Sequence, residues 1–375
     1  MDKFEGLNIS SKFAICGLPI RLDSYKTCDM GCKYCFANAR KIMEFKKELQ
    51  IANVDSIKRR LEKLKSMDEP TSFLDKMIKS GVTWHCGGMS DPFQQAEGEY
   101  HITEQIIDVT KEHGITILFS TKSNTVYGAN VTPNLHTFQL SVSNIDNRRD
   151  IECNVPDIQS RYNFFRELKK EGFKVGIRLQ PFIPNVTNLE IVKMFQGADH
   201  FTLEGLKVVP QNAEQKEFVF NELGISKDLF TQKGLLALKP DYRLNLYKPF
   251  IEYFKEHNIS YSISDNDLRK YSNNSCCCGD ALVSGATSFN TTAMIQRYGN
   301  SYELSDIHSE LDKYKCSDCV VYSLFTSNRT QGCRTIKEFF DKRINEKSSP
   351  FSPKFQYNES ENNKPSWKKL QLSLF

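Results

Sequence analysis

The stretch TCDMGCKYCF, residues 27–36, places Cys28, Cys32 and Cys35 on one short loop, soon after an apolar strand candidate at residues 20–24. Three thiolates on one tight loop can hold three corners of a four-iron cluster, which leaves the fourth iron open. Gly31 allows the loop to bend sharply where a side chain would obstruct it. The alternative is structural zinc, which requires four ligands in a closed tetrahedral site, whereas this loop supplies three.

The chain around this loop alternates short apolar runs with stretches of helical periodicity, from about residue 13 to residue 265. The clear strand candidates are residues 82–86, 115–120, 137–143, 174–180, 200–208 and 260–264. Helices are predicted over residues 102–112 and 158–170, because apolar residues repeat there at helical spacing and a glycine follows each stretch. This alternation predicts an α/β fold with a parallel sheet, in the form of a partial or complete parallel βα barrel.

The alternation stops after residue 265, so the sequence divides into three parts. Residues 1–270 are predicted to form the βα core, and residues 271–344 a cysteine-rich metal-binding appendage. Residues 345–375 are rich in Ser, Asn, Pro and Lys, which predicts a loose tail.

Twelve cysteines require an explanation, because a reducing compartment disfavours structural disulfides and clustered cysteines then indicate metal. The second group consists of Cys276, Cys277, Cys278, Cys316, Cys319 and Cys333. Neighbouring side chains of an extended segment point in opposite directions. We therefore expect Cys278 alone of the first three to join Cys316, Cys319 and Cys333 in a second metal site. An auxiliary iron–sulfur cluster, structural zinc and unligated thiols are the three alternatives for this group.

The charge balance and hydropathy limit the classes of partner. Because 50 basic residues are offset by 46 acidic ones, the net charge is only +4, and a broad nucleic-acid-binding field is not implied. No run of about 18 apolar residues is present to span a bilayer. Residues 1–24 also lack the charged start and apolar stretch of a signal peptide. We expect a cytoplasmic protein with no membrane partner.

The spacing C-x3-C-x2-C followed by an aromatic residue resembles the signature of the radical S-adenosylmethionine (SAM) superfamily, and the similarity covers residues 13–265. The segments HCGGMSDPFQ, residues 85–94, and TKS, residues 121–123, are similar to the branch that contains the spore photoproduct lyases. The resemblance implies a 4Fe–4S cluster with SAM at its open iron, where an electron from the cluster breaks the sulfonium bond to give a 5′-deoxyadenosyl radical. It also implies an electron donor such as flavodoxin or ferredoxin.

The same resemblance implies a set of SAM-binding residues. In this branch a glycine pair after the second strand meets the methionine end of SAM, and a lysine and a serine after later strands hold it. The candidates in this chain are Tyr34, Gly87, Gly88, Ser90, Lys122, Ser141, Ser143 and Arg178. Each of these residues also has an ordinary interpretation. A glycine pair usually forms a turn, a lysine is usually solvated, and a serine on a strand is usually a packed hydroxyl.

Candidate catalytic and substrate-binding residues lie near the predicted strand ends. Cys86 is a candidate hydrogen-atom donor, as a cysteine is in the spore photoproduct lyases, and a small buried thiol is the alternative. Asp91 is a second catalytic candidate. Together with Glu204, Asp265 and Asn266 it is also a candidate ligand for a guanine-like base, because carboxylates pair well with amidine-type donors. A cap or a surface charge is the alternative for each.

Within this branch, a lyase-like core followed by carboxyl-terminal cysteines is similar to the queuine lyases. These enzymes cut a carbon–nitrogen bond of the modified base queuine and release its aminomethyl precursor, so the implied substrate is a small modified base salvaged from tRNA. Two alternatives stay open: a lyase that repairs a thymine lesion in DNA, and a non-enzymatic metal-binding interaction protein. The peptide QLSLF, residues 371–375, is similar to the motif by which DNA-repair proteins bind the sliding clamp, and packing of the tail onto its own domain is the alternative.

Overall fold

The structure is a computed structural model that describes most of the chain. The described residues are 2–10, 13–39, 48–265, 267–274, 276–278, 282–290, 293–294, 301–320, 332–345, 355–359 and 365–369. The segment that carries the predicted parallel strands, residues 48–265, is therefore described without a break.

The described ranges contain strands that form one large sheet and three small ones. In chain order the strands are β1 (Lys3–Phe4), β2 (Leu7–Ile9), β3 (Ile20–Leu22), β4 (Ile51–Ala52), β5 (Trp84–Cys86), β6 (Ile117–Thr121), β7 (His136–Ser141), β8 (Val175–Phe182), β9 (His200–Gly205), β10 (Lys207–Val208), β11 (Phe230–Lys233), β12 (Leu235–Leu238), β13 (Tyr261–Ile263), β14 (Ser301–Glu303), β15 (Phe355–Glu359) and β16 (Pro365–Lys369). The small sheets pair β1 with β4, β10 and β11 with β12, and β14 and β15 with β16.

The central sheet has the strand order β13-β9-β8-β7-β6-β5-β3-β2. Its strands run parallel from β3 to β13, and β2 joins β3 antiparallel at one edge. This confirms the predicted parallel α/β architecture. Among the pairings of the described residues, the edge strands β2 and β13 are not bonded to each other, so a complete barrel is not found.

Helices connect most of the parallel strands. The α-helices of the described ranges are α1 (Phe36–Ala39), α2 (Val54–Lys65), α3 (Phe73–Lys79), α4 (Glu97–Tyr100), α5 (Ile102–Lys111), α6 (Ile158–Lys170), α7 (Glu190–Met194), α8 (Ala213–Glu217), α9 (Pro240–Glu256), α10 (Leu304–Lys313) and α11 (Ile336–Asn345). A π-helical turn (Phe218–Glu222) and two 3-10 turns (Lys227–Leu229 and Arg269–Tyr271) complete the set. None of these helices combines the length and apolar character that a bilayer crossing requires.

One face of the central sheet is apolar and packs against the long helices. In α6, the Asp157 side chain caps the first turn by accepting the Ser160 N–H at 2.8 Å, and Phe164, Phe165 and Leu168 are buried. The Phe164 ring meets Phe138 of β7 edge-on, with ring centroids 6.1 Å apart. Helical spacing therefore decides which side chains of α6 join the core.

The opposite face of the sheet is lined by polar side chains, and we call His85, Ser120, Gln139, Arg178 and Thr202 the polar face. These residues bond along the sheet: His85 Nε2 lies 2.8 Å from Ser120 Oγ, and Arg178 Nη1 donates to Gln139 Oε1 at 3.0 Å. Successive side chains of a strand point to opposite sides, so each strand contributes alternately to the apolar and polar faces.

Part of the cysteine-rich region covers the polar face. Gln139 Nε2 and Thr202 Oγ1 donate to the Cys277 carbonyl at 3.1 and 2.6 Å, and Thr137 Oγ1 donates to the Leu282 carbonyl at 3.1 Å. Leu282 itself is buried, and its Cδ1 lies only 2.7 Å from where a Cβ on Gly176 of β8 would stand. This segment therefore packs directly on the sheet.

We expect Leu282→Ala to lower the free energy of unfolding by about 2–5 kcal/mol, because it removes a buried side chain and leaves a cavity over β8. Val320→Ala is the matched control, since Val320 is 49% exposed and its truncation should change stability by less than about 0.5 kcal/mol. Urea unfolding of the two variants measures the difference. Equal midpoints would contradict the packing of this segment on the sheet.

Candidate functional site

The cysteine loop, residues 27–36, connects β3 to α1 and is anchored on one side by the segment after β5. The Asp29 N–H donates to Gln94 Oε1 at 2.8 Å, and Gln94 Nε2 returns a bond to the Thr27 carbonyl at 3.0 Å. The Asp29 carboxylate accepts the Ala96 N–H at 3.0 Å. Because Gln94 is fully buried, these bonds fix the start of the loop.

The other side of the loop is held by residues 151–154. The Lys33 N–H donates to the Ile151 carbonyl at 3.0 Å, and the Asn154 N–H donates to the Met30 carbonyl at 3.1 Å. Gly31 has a φ of 62°, and a Cβ there would lie 3.1 Å from Cys153 Cβ. The sharp bend and the close approach both favour glycine, as the sequence predicted.

The three cysteines of the loop are each half-buried. Burial raises the pKa of Cys28 to about 12, with smaller upward contributions from Asp91 and Cys35. Burial also raises the pKa of Cys32, against the opposing charge of Lys122. Protonated thiols become ligands only when a metal takes the place of the proton. Three cysteine sulfurs on one loop that is anchored from both sides are a donor set that fits a 4Fe–4S cluster with one open iron.

A buried carboxylate, Glu152, connects this loop to the two loops that follow β6 and β7. Glu152 Oε1 accepts Lys122 Nζ at 2.8 Å and the Tyr34 hydroxyl, while Oε2 accepts Asn144 Nδ2 at 2.7 Å. Arg161 Nη2 lies 3.9 Å from Oε2. Burial alone would raise the pKa of Glu152, yet Lys122 and Arg161 hold it below its usual value. The carboxylate is therefore charged and satisfied.

Sequence reasoning selected Tyr34 and Lys122 but missed Glu152, which belongs to no recognisable motif. The Lys122 ammonium also lies 5.4 Å from the centroid of the Tyr34 ring. Ser143 stands beside the Tyr34 hydroxyl, and the Ser141 carbonyl accepts Arg161 Nη1 at 3.0 Å. Three predicted SAM-binding residues, Tyr34, Lys122 and Ser143, thus lie around one buried acid, and Ser141 is linked to it through Arg161.

The glycine pair stands where the chain turns after β5. Gly87 has a φ of 96°, and a Cβ there would lie 2.1 Å from the Ser120 carbonyl oxygen. A Cβ on Gly88 would lie 2.1 Å from Arg21 Nη2. The N–H of Met89 donates to Asp23 Oδ1 at 3.0 Å, and Ser90 Oγ donates to the Tyr25 carbonyl. No other residue type fits at Gly87 without movement of backbone.

Asp91 is fully engaged within the chain. Its Oδ1 accepts Thr121 Oγ1 at 2.7 Å and the Phe93 N–H at 3.0 Å, and its Oδ2 accepts the Lys122 N–H at 2.6 Å. Burial raises the pKa of Asp91, although these hydrogen bonds act against the shift. Asp91 therefore joins the loops after β5 and β6, which is the role of a positioning residue.

Cys86 lies on the apolar face, away from His85 and the polar face. It is fully buried in the main core, where its sulfur lies 3.8 Å from Ser24 Oγ. Burial raises the pKa of the thiol well above its usual value. This placement favours the alternative interpretation, a small packed thiol, over a hydrogen-atom donor.

Arg178 occupies the centre of the polar face. It donates to Ser120 Oγ at 3.2 Å, to Gln139 Oε1 at 3.0 Å and to Gln180. Burial, followed by the charges of Arg178 and Arg21, lowers the pKa of His85 to about 3. The polar face therefore presents a neutral imidazole and neutral amides around a buried guanidinium.

The other predicted substrate ligands have partners of their own. Asp265 accepts Arg243 Nη1 at 2.9 Å, the Tyr247 hydroxyl at 2.8 Å and the Gly205 N–H at 2.9 Å. Glu204 pairs with Lys207. Asn266 lies outside the described residues, as do residues 371–375.

The second cysteine group divides between two places. Among the described residues, the Cys276, Cys277 and Cys278 sulfurs form the one set of three ligand atoms close enough to share an ion, all within 4.8 Å of one another. The expectation that three consecutive side chains cannot converge is wrong, because the backbone turns here instead of extending. Cys278 packs with Leu118 and Leu282. Cys316, Cys319 and Cys333 lie instead in the main core, so the structure does not bring the four predicted ligands together.

Comparisons with known proteins bear on the fold. No family model matches the chain. Uncharacterized proteins of Mycobacterium bovis and Mycobacterium tuberculosis are 24% identical to it over 189 residues, which are 46% of this chain and 52% of theirs. The chain thus spans about half the length of the curated relatives it matches.

Solved structures of spore photoproduct lyase superpose on this chain. A single-residue mutant gives a TM-score of 0.52 at 15% identity, and the complex with dinucleoside spore photoproduct gives 0.51 at 15% identity; each match covers 68% of this chain and 78% of the other. A double mutant with bound AdoMet and the dinucleoside gives 0.50 and covers 70% and 81%. This chain therefore has the fold of spore photoproduct lyase over about two thirds of its length.

We expect Glu152→Gln to destabilise the protein by about 3 kcal/mol, because it leaves the buried Lys122 and Arg161 charges without their anion. Glu222→Gln is the control, since the exposed Lys33–Glu222 pair at 2.8 Å contributes little. Urea unfolding at neutral pH measures both.

The same pair of variants tests the charge of Glu152. Its pKa is lowered in the folded state, so its stabilisation is present above the ordinary carboxyl pKa of about 4.3 and is lost as the pH falls through the lower folded value. The difference in free energy of unfolding between wild type and Glu152→Gln should become smaller in that acidic range. A difference that stays constant down to pH 2 would show that the carboxylate charge is not what stabilises the loops.

Proposed function

We propose that this chain is a radical SAM enzyme in which Cys28, Cys32 and Cys35 hold a 4Fe–4S cluster. The observation that carries the proposal is that three cysteines stand on one short loop that is fixed from both sides, by Gln94 and by residues 151–154. The spore photoproduct lyase fold supports it. When bound, the cluster and SAM supply a 5′-deoxyadenosyl radical that removes a hydrogen atom from the substrate.

The location of the loops supports a single site. The cysteine loop follows β3, the glycine pair follows β5, Lys122 follows β6 and Glu152 lies after β7. The carboxyl ends of parallel strands meet at one edge of a sheet, where ligands bind in this class of fold. The bonds from Asp91 to Lys122 and from Lys122 to Glu152 draw these loops together.

The chain's own residues have separable functions in this proposal. The Gly87 turn brings the backbone after β5 against the Ser120 carbonyl of β6, because no side chain can stand there. Lys122 supplies a positive charge near Cys32 and is held in place by Glu152, at 13% side-chain exposure. A positioned cation beside the ligand's carboxylate fixes its orientation, and the buried surroundings exclude water.

Cys28→Ala, Cys32→Ala and Cys35→Ala should each abolish reductive cleavage of SAM, because two thiolates cannot keep the open iron in position. Formation of 5′-deoxyadenosine by reconstituted, reduced protein is the measurement. Cys153→Ala is the matched control, since Cys153 adjoins the same loop but is exposed, and it should retain cleavage. Cleavage at the wild-type rate in any of the three loop variants would refute the proposal.

For the substrate, we propose a small modified nucleobase whose carbon–nitrogen bond is cut, with queuine as the specific candidate. The support is the resemblance of a lyase-like core followed by carboxyl-terminal cysteines. Asp91, Glu204 and Asp265 have internal partners, so they are poorly suited to bind the base.

A lesion of DNA is the second candidate substrate, and the likeness to a lyase solved with dinucleoside spore photoproduct favours it. The modest net charge of +4 speaks against a large nucleic-acid partner. A non-enzymatic metal-binding protein is the third reading and requires that the first loop hold zinc. Anaerobic iron and sulfide analysis distinguishes it from both enzymes.

If queuine is the substrate, label from its deuterated cyclopentenediol ring should appear in 5′-deoxyadenosine, because the bond to be cut joins that ring to the aminomethyl nitrogen. The product should keep the amine on the deazaguanine. Parallel incubations with queuine and with a dinucleoside lesion, each with SAM and reductant, make the comparison. Consumption of the lesion alone would replace the base with DNA as the substrate.

A further inference from the structure

The Cys276–Cys277–Cys278 turn brings three sulfur atoms within 4.8 Å of one another in a buried position on the polar face of the sheet. Cys276 and Cys278 are 7% and 2% exposed. No function proposed above uses these thiols. Three adjacent cysteines that converge in this way form a ligand set for a thiophilic metal ion.

The turn is held by the sheet. Ser262 Oγ of β13 donates to the Cys276 carbonyl at 2.6 Å, and Thr202 of β9 and Gln139 of β7 both donate to the Cys277 carbonyl. Within the turn, the Cys278 N–H donates to Cys276 Sγ at 3.4 Å. Hydrogen bonds of this kind orient ligands before the metal arrives.

A fourth cysteine, Cys16, adjoins the turn from the segment before β3. It packs in the same apolar cluster as Cys276 and Cys278. The next residue, Gly17, approaches so closely that a Cβ there would lie 3.2 Å from Cys276 Sγ. Arg269 Nη1 donates to the Ile15 carbonyl at 2.7 Å, which fixes the backbone beside Cys16.

The spacing of the sulfurs selects one ion over a cluster. Zinc–sulfur bonds of about 2.3 Å in a tetrahedron place ligand sulfurs about 3.8 Å apart, which agrees with a set confined within 4.8 Å. A 4Fe–4S cluster instead places each thiolate on a different iron. The positive charges of Arg269 and Arg178 act on Cys277 and would offset the net negative charge of a tetrathiolate site.

We propose that Cys16, Cys276, Cys277 and Cys278 bind one Zn²⁺ in a structural site that fastens the cysteine-rich segment to the βα core. The proposal replaces the ligand set expected from the sequence. It does not depend on the radical SAM reaction, because it concerns different thiols and a different metal.

The test uses the full chain with Cys28→Ala, Cys32→Ala and Cys35→Ala, so that iron bound at the first loop cannot interfere. After one equivalent of Zn²⁺ is added and the excess removed, metal analysis should find about one zinc per chain. Co²⁺ in place of Zn²⁺ should give thiolate-to-metal charge-transfer absorption. The additional changes Cys276→Ser, Cys277→Ser and Cys278→Ser should abolish both signals.

The matched control adds Cys316→Ser, Cys319→Ser and Cys333→Ser instead, which removes three buried thiols that lie elsewhere, and it should keep the zinc. Cys16→Ser should weaken zinc affinity by more than the roughly 10–100-fold that loss of an outer-shell partner causes. Zinc retained without Cys276, Cys277 and Cys278, or lost with the control set, would overturn the proposal.

A measurement on the chain that keeps all of its second-group cysteines guards against variants that fail to fold. X-ray absorption of the zinc-loaded protein should show four sulfur neighbours at about 2.3 Å. A shell that contains nitrogen or oxygen would exclude the four-cysteine site. A folded chain, as judged by circular dichroism, that binds no zinc would exclude it as well.

Discussion

The buried Glu152 carboxylate is the interaction on which the candidate site depends. It accepts bonds from Tyr34, Lys122 and Asn144, which come from three different loops at one edge of the sheet. A buried charge is tolerated only when it is paired and hydrogen-bonded, so these loops cannot separate without leaving an uncompensated ion. The conformation of the cysteine loop is thus set by an acid that is not itself a metal ligand. Asp91 acts in the same way between the loops after β5 and β6.

The polar face requires a cover, because buried polar groups need partners. The Cys277 carbonyl accepts bonds from Gln139 and Thr202, and the Cys276 carbonyl accepts a bond from Ser262. Arg178 bonds to neutral neighbours. The part of the cysteine-rich region that contains Cys276, Cys277 and Leu282 is therefore bonded directly to the sheet. The region's other cysteines, Cys316 and Cys319, contribute instead to the main core.

The sequence predicted the architecture well because the relevant signals are local. Periodicity placed the helix at residues 158–170 and each of the six strand candidates, and Gly31 identified the bend of the cysteine loop. Long-range contacts were not accessible in this way. Glu152 belongs to no sequence motif, and one of its hydrogen-bond partners, Tyr34, is 118 residues away in the chain. The prediction for Cys276–Cys278 assumed an extended backbone, and the backbone turns there. The role of Cys86 depended on which face of β5 packs against the helices, and the sequence does not show this.

The cover of the polar face also determines when the fold can be completed. The Gln139 side chain donates to the carbonyl of Cys277, which is 138 residues later in the chain. The Gly17 carbonyl accepts a bond from Thr287, which is 270 residues later. A ribosome adding residues from the amino end releases all the parallel strands before this segment, so the polar face can be covered only after β13 has been made. Pairings of such high sequence separation are slow to form. The segment that covers the polar face is thus made only after every parallel strand of the sheet, and a chain that ends before residue 276 would leave Gln139 and Thr202 without these partners.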